Sequence, residues 1–463
     1  MHAGAKEVHK FFLIVKELEE QIVNHNLKEG DKLPSIRVLA NQYHVSKSTV
    51  IRALHDLEQR HIVYSVDKSG YYLVKSGIIA NEEEQGMIDF ATSSPDPNIF
   101  PYLDFQHCVN KAIDTYKQDL FTYGTPQGLP SLLHIMQKQL ANYQVFTNVR
   151  NLFVVSGIQQ ALSILTALPF PNGKRKILIE QPSYHLFIEH LITYGVPVAG
   201  IKRTSRGIDF EELEEIFKTE DIKFFYTMPR FHNPLGCSYS AEEKKKIVAL
   251  AHKYDVYIVE DDYLADMEQD TKADPLYAYD DKTHVIYLKS YSKIIFPGLR
   301  IGIAVIPDSL LTAFMQYKRI QDIDSSMLSQ GALEIYLKSS MFDRHKLKIK
   351  SYYEQRSRLL HAALEQQLIQ NGNLFSFDVG VKSSLHTYIR LIEDVPANEV
   401  IRRLKKKSLW IEPIDKHYLP SFPKDNLLKL NVSRVRLNGI EDGVHLLIDE
   451  IRQLMTASFS KSP

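Results

Sequence analysis

Between Ser290 and Gly302 the chain reads SYSKIIFPGLRIG, and two of its residues could do chemistry together: Lys293 and, seven positions on, Arg300. A lysine ε-amine condenses with an aldehyde. A guanidinium grips a phosphate with two parallel hydrogen bonds, which an ammonium cannot copy. Apolar residues, a proline and a glycine separate the two cations, so the segment otherwise reads as buried. Other short stretches supply complementary groups. SGIQQ (156–160) is a small-residue turn opening a helix, and its Gly157 and Ile158 backbone and Gln159 side chain can hold an anion. QPSY offers the flat ring of Tyr184, HNPLG the amide of Asn233, DDY the acid Asp261 with the phenol Tyr263, and KSYSK the hydroxyl of Ser290. Lys289 competes with Lys293, but it stands too early after its apolar run. Alone, each stretch has a plain structural reading as a cap, a turn or a surface charge; their order along the chain argues for one site.

The elements that must position these groups are short apolar runs: LFVV (152–155), KILIE (176–180), FFYTM (224–228), VYIVE (256–260), HVIYL (284–288) and GIAVI (302–306). Runs of this length alternating with amphipathic helices predict a mostly parallel sheet covered on both faces. Ligands of such sheets gather at the carboxyl ends of the strands, where the polar stretches fall.

The first 75 residues have a different character, with eleven Lys/Arg and nine Asp/Glu. Phe11, Val15, Leu18 and Ile22 mark one buried helical face. Ser35 is placed to cap a helix whose inner face is Ile36, Leu39, Ala40 and Tyr43. Ser46 is placed to cap a second, with Val50, Ala53, Leu54 and Leu57 inside and Lys47, Ser48, Thr49 and Arg52 outside. IVYSV-DKSG-YYLV then reads as a hairpin. This is the layout of a winged helix-turn-helix, with short polar and basic side chains at the start of the helix that enters the major groove. The residues expected to meet double-stranded DNA are Ser35, Arg37, Ser46, Lys47, Ser48, Thr49, Arg52, Lys68 and Gly70. SGIIANEEEQGM (76–87) is acidic and aperiodic and reads as a linker.

Composition excludes several classes. The formal net charge is zero over 463 residues, so any nucleic-acid surface is a local patch. Two cysteines far apart argue against a disulfide framework or a cysteine-based metal site, and no metal is expected. Neither a signal peptide nor a membrane span is evident, which predicts a cytoplasmic protein.

Through KLPSIRVLA, VSKSTVIRAL and SGYYLV, the head resembles the DNA-binding domain of GntR-type regulators. The body resembles fold type I pyridoxal 5′-phosphate (PLP) enzymes of the aspartate aminotransferase kind. The whole chain, with SKxxxPGLRxG at 292–302 and IDF…FP at 88–101, is similar to MocR/GabR regulators, in which the two are fused. The resemblance implies a multidomain chain: a winged helix-turn-helix over 1–75, a linker over 76–87, and an α/β PLP-binding domain over 88–463. Within the last, a large subdomain of about 121–310 would carry the mostly parallel sheet, and a smaller α/β subdomain would combine 88–120 with about 320–463. The resemblance implies Lys293 as the Schiff-base lysine and Asp261 as partner of the pyridine nitrogen. Asn233 and Tyr263 would bond the ring oxygen, Tyr184 would stack on the ring, and Ser290, Arg300, Gln159, Ile158 and Gly157 would hold the phosphate. Tyr123 would be lent to the neighbouring subunit of a homodimer.

The sequence departs from aminotransferases on the substrate side. Where a carboxylate-gripping arginine stands in a pattern like RLxFS, this chain has KLNVS, which puts Lys429 there with Arg434 and Arg436 nearby. KSSLH (382–386) replaces a GGLH-like segment. The resemblance therefore implies a PLP-dependent, DNA-binding transcriptional regulator that senses an amine or amino acid by external aldimine formation at Lys293. A catalytically active aminotransferase carrying a DNA-binding domain is the alternative.

Overall fold

The computed structural model describes residues 14–18, 20, 30–59, 62–66, 69–73, 86–270, 273–378 and 385–459. They fall into two compact units, Met1–Gly86 and Met87–Pro463.

In the smaller unit, helices Ile36–Gln42 and Lys47–Gln59 precede an antiparallel hairpin of β1 (Val63–Val66) and β2 (Gly70–Leu73), with Val63 opposite Leu73. Ser35 caps the first helix by accepting the Val38 N–H at 3.3 Å, and Ser46 accepts the Thr49 N–H at 3.2 Å at the start of the second. Leu39, Ala40, Val50, Ala53, Leu54 and Leu57 close on Val15, Leu18, Leu33, Val63 and Leu73 in one apolar core. Phe11 and Ile22, expected on the same face as Val15 and Leu18, lie outside the described residues.

The larger unit opens with β3 (Ile88–Asp89). Its main sheet has seven strands: β4 (Leu152–Val155), β5 (Lys176–Gln181), β6 (Val198–Lys202), β7 (Ile222–Thr227), β8 (Tyr257–Asp261), β9 (Val285–Ser290) and β10 (Gly302–Val305). Their order is β4-β10-β9-β8-β7-β5-β6. All neighbours are parallel except β10, which runs antiparallel to both β4 and β9. Strands β7, β8 and β9 are buried along their whole length, as a sheet covered on both faces requires. The sequence gives no sign of β6, because VAGIK is a half-exposed edge strand without an apolar run.

A second sheet is antiparallel, in the order β11 (Phe375–Ser376), β12 (His386–Leu391), β15 (Leu427–Asn431) and β14 (Glu412–Pro413). Strand β13 (Leu409–Trp410) pairs with β3, Ile88 opposite Leu409, and so ties the start of this unit to its C-terminal third. The 31-residue helix Met341–Asn371 runs into this sheet. Beneath the main sheet's strand ends lies a buried polar frame. Asp262 accepts from Arg230 Nε at 3.0 Å and from the Tyr287 hydroxyl at 2.7 Å, while Glu260 accepts the Leu276 and Tyr277 N–H groups at 2.9 and 2.8 Å. Stranding one member of a buried ion pair costs about 3–5 kcal/mol, so this frame holds the turn after β8 firmly. No helix among the described residues is long and apolar enough to cross a membrane.

Candidate functional site

The carboxyl ends of β4, β5, β7, β8 and β9 bring the sequence-expected groups into one region. After β4 the chain turns through Gly157 (φ 81°) into the helix Ile158–Ala167. Arg300 Nη2 donates to the Ser156 carbonyl at 3.1 Å. A Cβ built on Gly157 would lie 2.8 Å from that same nitrogen, so glycine is needed both for its backbone angle and for the close approach of the guanidinium. Helix N–H groups, a guanidinium and the buried Ser290 at the end of β9 form a cradle suited to a phosphate.

Gln159 Nε2 donates to the Tyr184 hydroxyl at 2.9 Å. Burial pushes this phenol up against the Gln159 bond, and its oxygen also feels the Asp261 carboxylate and the Arg300 guanidinium. Tyr184 thus stands between the cradle and the acid. Asp261, the last residue of β8, is almost fully buried. Its Oδ2 accepts from the Tyr226 hydroxyl at 2.7 Å, whereas Oδ1 has no partner among the described residues. Burial drives its pKa up to about 7; the Tyr226 bond opposes this and the charge of Asp262 adds to it. Asn233 Oδ1 is likewise buried without a partner among the described residues. The Tyr263 hydroxyl donates to the Phe231 carbonyl at 2.7 Å, which commits its proton and leaves its oxygen free to accept.

Lys293 donates to the Ser93 carbonyl. Burial, and then the positive charge of Lys429, push its amine down to about 8, with Glu412 working the other way. Lys289 lies inside β9, where its ammonium pairs with buried Asp266 and sits 4.5 Å from the centre of the Tyr143 ring. The two lysines are therefore sorted by neighbours: one is committed to a structural ion pair, the other has its amine poised near neutrality.

Lys429 on β15 is also buried, and its pKa is lowered by burial to about 8. Its Nζ lies 3.4 Å from Ser93 Oγ and 3.5 Å from a Glu412 carboxylate oxygen. Arg434 is half-buried, its Nε without a partner among the described residues, and Arg436 is exposed. Tyr123 stands apart from this cluster, 80% exposed. Ser93, Tyr226 and Glu412 were not singled out in the sequence. Ser93 sits in a loop after β3 whose turn is set by Asp89 Oδ1 accepting two backbone N–H groups at 2.9 Å. Tyr226 lies within β7, which is buried along its whole length, so no alternation in the sequence marks it.

In the smaller unit Ser35, Arg37, Ser46, Lys47, Ser48 and Arg52 are exposed and Gly70 is half-exposed. Thr49 corrects the expectation: it is buried, with its hydroxyl 2.8 Å from Ser46 Oγ, because the third position of this helix turns under the cap rather than outward. Lys68 and residues 382–384 of KSSLH lie outside the described residues. Among the described residues one metal-type grouping, His252, Asp280 and His284, gathers at the amino end of β9, opposite the site. Hydrogen bonds account for it, 2.7 Å from His252 to Asp280 and 3.1 Å from His284 to Asp255.

The donor set fits PLP. Asp261 Oδ1 lacks the donor that a protonated ring nitrogen supplies, and a neighbouring cation offsets the burial that raises this acid. The Gly157–Arg300 cradle fits a phosphate, Tyr184 a ring face, and Lys293 an aldehyde.

Comparison with known proteins agrees with this geometry. Residues 96–429 match the family model "Aminotransferase class I and II", and residues 13–73 match "Bacterial regulatory proteins, gntR family". The Bacillus subtilis (strain 168) protein named "Uncharacterized HTH-type transcriptional regulator YcxD" is 57% identical over 442 residues, covering 96% of this chain and all of that protein. Among solved structures, the α-aminoadipate aminotransferase LysN of Thermus thermophilus, complexed with N-(5′-phosphopyridoxyl)-L-leucine, superposes with a TM-score of 0.72 at 22% identity, covering 81% of this chain and 95% of its own. The kynurenine aminotransferase of Pyrococcus horikoshii, complexed with PMP, gives 0.73 at 24%, covering 80% and 92%. These two likenesses establish the fold of the larger unit. The chain belongs to the HTH-type transcriptional regulators that join a gntR-family head to a class I and II aminotransferase domain.

Proposed function

We propose that this regulator binds PLP at Lys293 and uses the loaded pocket to sense an amine or amino acid, altering how its heads bind double-stranded DNA. The observation that carries this reading is the buried Asp261, whose Oδ1 ends without a partner among the described residues, at a strand end neighbouring the one that leads to Lys293. When bound, PLP supplies an aldehyde that condenses with primary amines and a ring that withdraws electrons. The chain's own residues do the rest. Lys293, poised at about 8, presents an appreciable neutral fraction at physiological pH. With PLP bound, Asp261 would hold a proton on the ring nitrogen, Arg300 and the helix N-terminus would neutralise the phosphate, and Tyr184 would supply an aromatic surface for the ring.

Two features support regulation over turnover. The head presents Lys47 and Arg52 on an exposed helix face, and the cation on the carboxylate side, Lys429, is engaged by Glu412. Exposed Phe121, Tyr123 and Ile320 support a homodimer in which these apolar groups are covered. The reading is tested by titrating the PLP-loaded protein with primary amines while following cofactor absorbance and promoter binding together. A spectral change accompanied by a change in DNA affinity is expected. Steady transamination at ~1 s⁻¹ or faster, with DNA affinity unmoved, would establish the enzyme instead. Arg52→Ala should weaken DNA binding and reduce the slope of log affinity against log salt by about one.

A further inference from the structure

Glu412 on β14 lies directly across from Lys429 on β15. One of its carboxylate oxygens faces Lys429 at 3.5 Å, and the other is paired with Lys416, which reaches toward solvent. His185, the residue after Tyr184, faces the same carboxylate. Lys429 and Lys293 converge on Ser93, one through its hydroxyl and the other through its carbonyl. The ammonium nearest the anchoring amine is thus already supplied with a carboxylate from within the chain.

A buried ammonium requires a counter-charge, and Lys429 with Glu412 forms a neutral pair. A ligand carboxylate brought to Lys429 would compete with Glu412 for the same ammonium and stand next to a like charge. It would have to push Glu412 away, leaving that side chain only Lys416. An amine with hydrogen or an alkyl group in place of that carboxylate leaves the pair intact.

We propose that Glu412 is a specificity-determining residue: an internal carboxylate that occupies Lys429 and turns the pocket toward amines lacking a carboxylate on the amine-bearing carbon. This rests on the reading of the pocket as an amine sensor. The test uses two probes that differ only in that carboxylate, butan-1-amine and L-norvaline, titrated into PLP-loaded wild type and Glu412→Gln and followed by cofactor absorbance. Wild type should bind butan-1-amine more tightly. Glu412→Gln should move the affinity ratio toward L-norvaline by roughly ten- to a hundredfold, the size of one charge-assisted hydrogen bond. An unchanged ratio in a variant that melts cooperatively overturns the role of Glu412. Tighter binding of L-norvaline than of butan-1-amine by wild type overturns it whether or not the variant folds. If neither probe alters the wild-type spectrum, the sensor reading itself fails and the proposal with it. If wild type prefers butan-1-amine but the ratio does not move in the variant, only Glu412 is misassigned.

Discussion

At the ends of β7 and β8, buried polar groups end without partners among the described residues; across β14 and β15, Glu412 and Lys429 end on one another. Asp261 Oδ1 and Asn233 Oδ1 are buried with no partner among the described residues, and the Gly157 turn leaves helix N–H groups beside Arg300. Lys429, Glu412 and Lys416 form a closed chain of charges. Unpaired buried polar atoms cost about 1–3 kcal/mol each, so a fold keeps them where a ligand completes them. The difference teaches that the cofactor-side groups wait for a partner from outside the chain, whereas Lys429 already has one within it.

The strongest way to break the comparison is Lys293→Ala. Borohydride reduction of the loaded wild type should fix the cofactor on the peptide containing residue 293, seen by mass spectrometry, and the variant should show no such adduct. An adduct of equal yield on Lys289 or Lys429 would reverse the roles given to the lysines. Next in size is Asp261→Asn, which keeps an acceptor for Tyr226 but loses the charge; equilibrium dialysis should show cofactor affinity reduced roughly ten- to a hundredfold. Gly157→Ala places a Cβ against the Arg300 guanidinium at a backbone angle that disfavours it. At about 1–3 kcal/mol of strain, it should weaken cofactor binding about tenfold and lower the melting temperature of the cofactor-free protein.

The smallest effect is on pH. Lys293 and Lys429 both have folded-state values near 8, below their ordinary 10.5, because burial disfavours their charge. Between these values the unfolded chain holds more protons than the folded one, so the stability of the cofactor-free protein gains with rising pH across that window. Lys429→Met removes one of the two titrations. Melting curves should show wild type gaining on this variant from pH 8 to 10.5.

Much of the site was legible because the cofactor side is written in local motifs. SGIQQ, QPSY, DDY and SKIIFPGLR each fall at a strand end, and alternating apolar runs with helices says where strand ends are. The edge strand β6 was not legible, since an edge buries little and needs no apolar run. Thr49 was misplaced because helical spacing alone does not say whether a cap turns the first residues under it. Glu412 and Ser93 were invisible because their roles come from the fold, Ser93 being 336 residues from Lys429.

By itself, the sequence determined the two-part architecture and the sheet class and marked Lys293, Asp261 and Arg300 as candidates for a cofactor, because periodicity and turn chemistry are local properties. Only the tertiary structure shows that Lys289 is locked in an ion pair with Asp266 and that Lys429 carries its own counter-charge. Those outcomes depend on burial and on charges brought together from separate segments, and neither quantity exists until the chain has folded.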